Sequence, residues 1–197
     1  MNASRESPLP LTHPELSIHH GPGFCEYRVE NWYLARDGSG RIVKGYNSFS
    51  WPDAVIAAVL AFFWVSVRDS PKILLALGIA LTYGIWCKFS QILWESVIAI
   101  PPHGIQLETH RGYPSIPLTV SRRFIPAIIL HDFVINEGIR RWDVRHYLVA
   151  LKTSHTGDVA LDVAYENILP HFPVLFEVYR GIYATFLQDP GLEEAKK

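Results

Sequence analysis

Cysteine is scarce. The chain has two, Cys25 and Cys87, too few for a disulfide framework, and Cys87 falls in an apolar stretch where a buried thiol acts as a small hydrophobe. A reducing compartment is expected. No sign of charge prevails either: 18 Lys and Arg stand against 19 Asp and Glu, so no basic face announces a nucleic-acid binder. No Gly-x-Gly-x-x-Gly or Gly-Lys-Ser/Thr loop cradles a phosphate. No Gly-x-Ser-x-Gly elbow presents a nucleophile, and no His-x-x-x-His or Cys-x-x-Cys spacing prepares a zinc site. Residues 1–23 lack the apolar core of a signal peptide and carry Pro8, Pro10, Pro14 and Pro22. They read as a flexible tail in which His13, His19 and His20 are solvated bystanders.

What the sequence does have is apolar surface. The hydrophobic fraction is 49% and the mean hydropathy is +0.11. Two runs dominate, Asp53–Val67 and Ile73–Cys87, separated by Arg68-Asp69-Ser70-Pro71-Lys72. Both are apolar all round, as a lipid-facing or fully buried helix must be. Ser50 and Asp53 have capping-box spacing, with Pro52 in the first turn. Each run is short of the ~20 residues of a full span, but Trp51 at one end and Phe89, Ile92 and Leu93 beyond a snorkelling Lys88 extend them. Trp51, Trp86 and Trp94 would mark one interface and Trp64 the other. Residues 51–93 are therefore expected to form a two-helix transmembrane or re-entrant hairpin, the alternative being a buried helical pair in a soluble core. Arg36, Arg41, Lys44 and Lys88 flank the side on which both ends emerge, which places the rest of the chain in the cytoplasm by the positive-inside bias. Anchoring without a signal peptide points to the endoplasmic reticulum.

Outside the hairpin the period changes to two. Phe24–Asn31 reads as a strand in an N-terminal segment, 24–50, that packs with the later domain, and Asp37-Gly38-Ser39-Gly40 as a turn. Glu95–Ile100 and Ile105–His110 alternate about a tight Pro101-Pro102-His103-Gly104 connection. Arg111–Val120, rich in Gly, Pro and Ser, reads as a loop, and Arg123–Pro126 as a short extended piece. Ile128–Glu137 and Val144–Lys152 are two more β-rich runs, joined by Gly138–Asp143, and Thr153–Asp158 is another loop. Phe172, Leu175, Phe176, Tyr179, Ile182, Tyr183 and Phe186 recur at helical spacing, a stripe expected to be core, closed by Asp189-Pro190-Gly191. The expected class is an α+β membrane protein: a pleckstrin-homology-like β domain over 94–188 with a closing amphipathic helix, then a tail at 189–197.

The remaining ionisable residues do not form a catalytic constellation. His103, His110, His131, His146, His155 and His171 are scattered. Glu108 and Glu137 are separate strand carboxylates whose distance the sequence does not set. Arg122-Arg123 and Arg140-Arg141, with Arg145, are basic patches that would meet anionic headgroups or simply be solvated. The first hairpin turn, where phosphoinositide-binding domains of this type carry basic residues, has none, which argues against specific headgroup recognition.

Several runs resemble a known family. Phe124-Ile125-Pro126, Asp132-Phe133-Val134-Ile135-Asn136-Glu137, Tyr147-Leu148-Val149-Ala150-Leu151 and Phe176-Glu177-Val178-Tyr179-Arg180, with Gly23-Phe24-Cys25-Glu26-Tyr27 upstream and the central hairpin, look like the H component of phosphatidylinositol N-acetylglucosaminyltransferase over roughly residues 24–187. The resemblance implies a non-catalytic accessory subunit of the complex that moves N-acetylglucosamine from UDP-GlcNAc to phosphatidylinositol, the first step of glycosylphosphatidylinositol (GPI) anchor synthesis. It implies no cofactor, and as partners a catalytic glycosyltransferase subunit and other membrane subunits. Candidate partner contacts are Trp142, Gly78 and Gly84, where small residues permit close helix packing, and Arg122 and Arg123. The competing reading is a membrane-anchored lipid-binding module.

Overall fold

The structure, a computed structural model, describes residues 5–6, 13–35, 39–46, 51–62, 64, 70–114, 116–140, 142–153 and 157–186. Within these, strands β1 (Arg5–Glu6), β2 (Leu16–Gly21), β3 (Phe24–Glu30), β6 (Gln91–Ile100), β7 (Gly104–Tyr113) and β8 (Ile116–Pro126) form a six-stranded antiparallel sheet in that spatial order. Strands β4 (Trp32–Leu34) and β5 (Ile42–Lys44) make a small hairpin. Strands β9 (Leu130–Arg140), β10 (Asp143–Thr153) and β11 (Val159–Ala164) make a three-stranded antiparallel sheet in the order β11-β10-β9. Helices α1 (Trp51–Phe62) and α2 (Pro71–Phe89) lie in sequence between β5 and β6, and α3 (Phe172–Phe186) follows β11. The class is α+β.

Period-two alternation fixes which residues face inward. The register pairs Ile18 with Tyr27, Tyr27 with Val97 and Val97 with Leu107. A second row pairs Cys25 with Ala99, Ala99 with Ile105 and Ile105 with Ile125. All of these are buried, and they pack with Phe133, Leu148, Ala150 and Ala164 of the three-stranded sheet. Val174, Leu175, Val178, Ile182 and Phe186 of α3 complete the core. Gly181 lets the helix approach: a Cβ there would lie 2.0 Å from the Tyr27 hydroxyl.

Several expectations are corrected. Residues 16–21 are not tail but strand β2, with Leu16 and Ile18 buried. The prolines bracket this strand instead of breaking it: Pro22-Gly23 forms the two-residue connection to β3, with Gly23 at φ 83°, the conformation that favours glycine there. His19 and His20 are thus strand residues, and His20 Nδ1 lies 3.3 Å from Cys25 Sγ. The supposed loop at 111–120 is mostly β7 and β8. A register shift at Arg111/Gly112 absorbs the irregularity, and β8 is an edge strand, where Pro117 costs no ladder bond. The helical segment ends at Phe89, so Ile92 and Leu93 belong to β6, where Leu93 is buried. Strand β11 was not foreseen at all. The stripe on α3 is rotated: Val174 and Val178 are core, whereas Phe172, Phe176 and Tyr183 are more than two-fifths exposed. Ser50, Arg68-Asp69, Asp37-Gly38, His155 and residues 187–197 lie outside the described residues.

Candidate functional site

Three features stand out as sites: the apolar helices, a polar cluster on the outer face of the large sheet, and a buried carboxylate beneath the turn that leads to α3.

Helix α2 has 19 residues, none of them buried. At 1.5 Å per residue it is about 28 Å long, close to the ~30 Å of a bilayer's hydrocarbon core. It is the one described helix long and apolar enough to cross a membrane. Ile73, Leu74, Leu75, Ile79, Leu81 and Ile85 are exposed. The Thr82 hydroxyl donates to Gly78 O at 2.8 Å, so this polar group is satisfied inside the helix, as lipid requires. Helix α1, with 12 residues, exposes Val55, Ile56, Val59 and Phe62. Lys88 Nζ donates to Asp53 Oδ2 at 2.5 Å, which joins the last turn of α2 to the first turn of α1. Each charge sits by the helix end of opposite sign. An open apolar groove along α2 is lined by Leu74, Leu75, Gly78, Ile79, Tyr83 and Trp86, among others. An added Cβ at Gly78 or Gly84 would meet nothing within 4 Å among the described residues.

On the outer face of the large sheet, register brings Arg28, Ser96, Glu108 and Arg122 into one row. The Arg28 guanidinium lies 3.8 Å over the Trp94 ring, and Trp94 stacks on His110 with centroids 4.6 Å apart. His110 Nε2 donates to Glu108 Oε2 at 2.9 Å. Arg122 Nε (2.8 Å) and Gln106 Nε2 (2.5 Å) donate to Glu108 Oε1. Burial pushes the Glu108 carboxyl up, but the bonds from His110, Arg122 and Gln106 and the Arg122 charge outweigh it and hold the group below its ordinary value. Arg28 Nε, Ser96 Oγ and His110 Nδ1 are buried and have no hydrogen-bond partner among the described residues.

On the inner face, Glu95 is buried at 2% exposure. One of its oxygens accepts from Asn167 N (3.2 Å) and Ile168 N (3.1 Å), the other from Asn167 Nδ2 (2.7 Å) and Thr109 Oγ1 (3.1 Å). Four donors occupy the four lone-pair sites of the carboxylate. The turn it holds contains Tyr165 at φ 55° and Leu169 at φ 47°, left-handed conformations that side chains adopt only when the surroundings impose them. The Tyr165 hydroxyl donates to Tyr27 O at 2.8 Å.

Residues 96–166, from β6 to the turn after β11, match the family described as the PIG-H component of the GPI-GlcNAc transferase complex. A relative, the phosphatidylinositol N-acetylglucosaminyltransferase subunit gpi15 of Schizosaccharomyces pombe, is 26% identical over 166 residues, covering 84% of this chain and 93% of its own length. Both comparisons point to the same subunit family, to which the chain is similar. No solved structure matches it. The matched region contains Glu108 with Gln106, His110 and Arg122, and also Arg123 and Trp142, whereas Arg28, Trp94, α1, α2 and α3 lie outside it.

The expected partner contacts scatter over the fold. Alternation puts Arg122 and Arg123 on opposite faces of β8, so they make no joint patch. Arg122 is bound to Glu108, and Arg123 Nη1 donates to Asp162 Oδ1 at 2.9 Å across to β11. Asp162 also pairs with Lys152. Trp142 is fully exposed at the β9–β10 turn, and Gly78 and Gly84 are on α2. Glu95 was missed as a site. Its signal was in the alternation: in β6 it shares parity with Val97 and Ala99, which puts an acid on an apolar inner face.

Proposed function

We propose that this chain is a non-catalytic accessory subunit of the complex that transfers N-acetylglucosamine from UDP-GlcNAc to phosphatidylinositol in GPI-anchor biosynthesis, and that it holds the catalytic subunit at the membrane. The observation that carries the reading is the PIG-H match over the sheet domain in a chain whose α2 is apolar on every side. Two further features support the membrane arrangement. The Lys88–Asp53 contact favours α1 and α2 as an antiparallel hairpin, and the two sheets closed by α3 favour a pleckstrin-homology-like domain on that anchor. On this reading the domain and both termini face the cytoplasm from the endoplasmic reticulum membrane. Keeping a transferase where its lipid acceptor is confined raises the effective concentration of the two. Gly78 and Gly84 offer close approach to other membrane helices. The lipid-binding alternative loses support because Arg122 and Arg123 are each engaged by a carboxylate of this chain.

The test is affinity purification from membranes in mild detergent, followed by assay of GlcNAc transfer to phosphatidylinositol. The expected result is co-purification with a larger glycosyltransferase, activity in the mixture, and none from the isolated chain. Turnover by the purified single chain overturns the accessory role.

A further inference from the structure

The β9–β10 hairpin is longer than the sheet needs. Beyond Leu148 and Ala164, the last pair that β10 makes with β11, β9 and β10 continue alone to Arg140 and Asp143. This free end exposes large apolar side chains among its charges. Ile139 and Val144, paired across the two strands, are 84% and 57% exposed, and Trp142 beside the turn is fully exposed. The segment from Gly138 to His146 carries three arginines against one acid; Arg145 Nε pairs with that acid, Asp143, at 2.8 Å, which leaves the charges of Arg140 and Arg141 unbalanced within the segment.

A chain of contacts locates this end. Helix α2 passes into β6 beside Leu93, whose carbonyl accepts from Asn31 N at 2.9 Å, and Glu15 O accepts from Glu30 N at 3.0 Å. Glu15 and its neighbour His13 thus lie at the helix-bearing end of the large sheet. The His13 ring is 6.2 Å from that of His171, and Phe172, next in sequence, is 5.0 Å from His146. Strand β10 therefore runs from the core at Leu148 to the helix-bearing end at His146. Its four further residues to Trp142 reach about 13 Å beyond.

We propose that the β9–β10 tip is a second membrane contact, with Trp142, Ile139 and Val144 seated in the interfacial layer of the bilayer that α2 enters and the flanking arginines meeting anionic headgroups. Tryptophan prefers that layer, and basic residues beside it are drawn to anionic lipid. With the α1–α2 hairpin as the only attachment, the domain's tilt would rest on the two connections that leave the hairpin. A second contact fixes its tilt, and so fixes which face of the domain is turned to a partner. The inference rests on the anchoring reading above.

The test places an environment-sensitive fluorescent residue in the full chain, in place of Trp142, Val159 or Leu75 in three separate proteins. Each is reconstituted in vesicles of phosphatidylcholine and phosphatidylinositol bearing shallow nitroxide lipids. Val159 is exposed at the far end of the domain and Leu75 lies in α2. The expected result is strong quenching at 75, quenching at 142 several-fold above that at 159, and loss of the 142 signal when phosphatidylinositol is omitted and salt is raised. Quenching at 75 with 142 no different from 159 overturns the tip contact and leaves the anchor standing. No quenching at 75 overturns both. A 142 probe silent in vesicles but shielded once other subunits are added marks a protein contact, and overturns the proposal as well.

Discussion

Replacing Glu95 by alanine should loosen the turn that delivers α3 to the core. The wild-type carboxylate accepts four hydrogen bonds of 2.7 to 3.2 Å. Bonds to a charged acceptor contribute about 1.5–3 kcal/mol each, but they share one group and do not add, and the buried carboxylate costs desolvation that the alanine variant no longer bears. Two backbone donors, Asn167 N and Ile168 N, would be left unsatisfied at roughly 1–3 kcal/mol each. The net loss should be about 3–5 kcal/mol, in the range for breaking a buried polar network, and should lower Tm by about 10 °C at this chain length. Glu95→Gln should cost less, about 1–2 kcal/mol. Its oxygen can stay on the two backbone donors, while the Thr109 hydroxyl and the Asn167 amide reorient to accept from the new NH2. Thermal unfolding of the full chain in detergent, followed by near-ultraviolet circular dichroism, measures both. An alanine variant within about 1 kcal/mol of wild type, or a glutamine variant as damaged as alanine, would refute the capping role.

Glu108→Gln should lower Tm near neutral pH. The folded carboxyl titrates below its ordinary value of 4.5, so its contribution is present above that value and fades as pH falls through the folded pKa. The Tm gap between wild type and variant should therefore close in acid, and a gap that widens there contradicts the assignment. Asp162→Ala should cost roughly 1–3 kcal/mol, because it leaves Arg123 and Lys152 without the acid that joins β8 to the second sheet; chemical denaturation measures it. Gly181→Ala should destabilise by roughly 1–3 kcal/mol through the buried Tyr27, measured in the same thermal melts. Gly78→Leu should leave the melt of the isolated chain unchanged, since no described residue lies within 4 Å of an added Cβ there, yet reduce recovery of the membrane partners in co-purification.

The elements most legible in the sequence were those with one strong period. The apolar helices, the alternation of β3, β6 and β7, and the reach of α3 to Phe186 follow from residue spacing alone. Proline and glycine misled where context overruled them: Pro14 and Pro22 bracket β2, and Pro117 is tolerated because β8 is an edge strand. Strand β11, Val-Ala-Leu-Asp-Val-Ala, does alternate, but with Asp162 on its inner parity. That acid is accepted because Arg123 comes to it from β8, distant in sequence, and Lys152 from the adjoining strand β10. The face of α3 was misjudged because aromatic size was weighed above burial. Two valines touch the sheet, and Phe172 and Phe176 stack on each other outside it. The polar clusters were not legible, since Arg28, Trp94, His110 and Glu108 become neighbours only through cross-strand register.

The account depends most on the chain being held in lipid by α1 and α2. The direct measurement is alkaline carbonate extraction of membranes from cells expressing the full chain, followed by sedimentation with and without detergent. The protein should stay in the pellet through carbonate and pass to the supernatant only with detergent. Release by carbonate alone, with α2 intact, contradicts the anchor and the tethering role built on it.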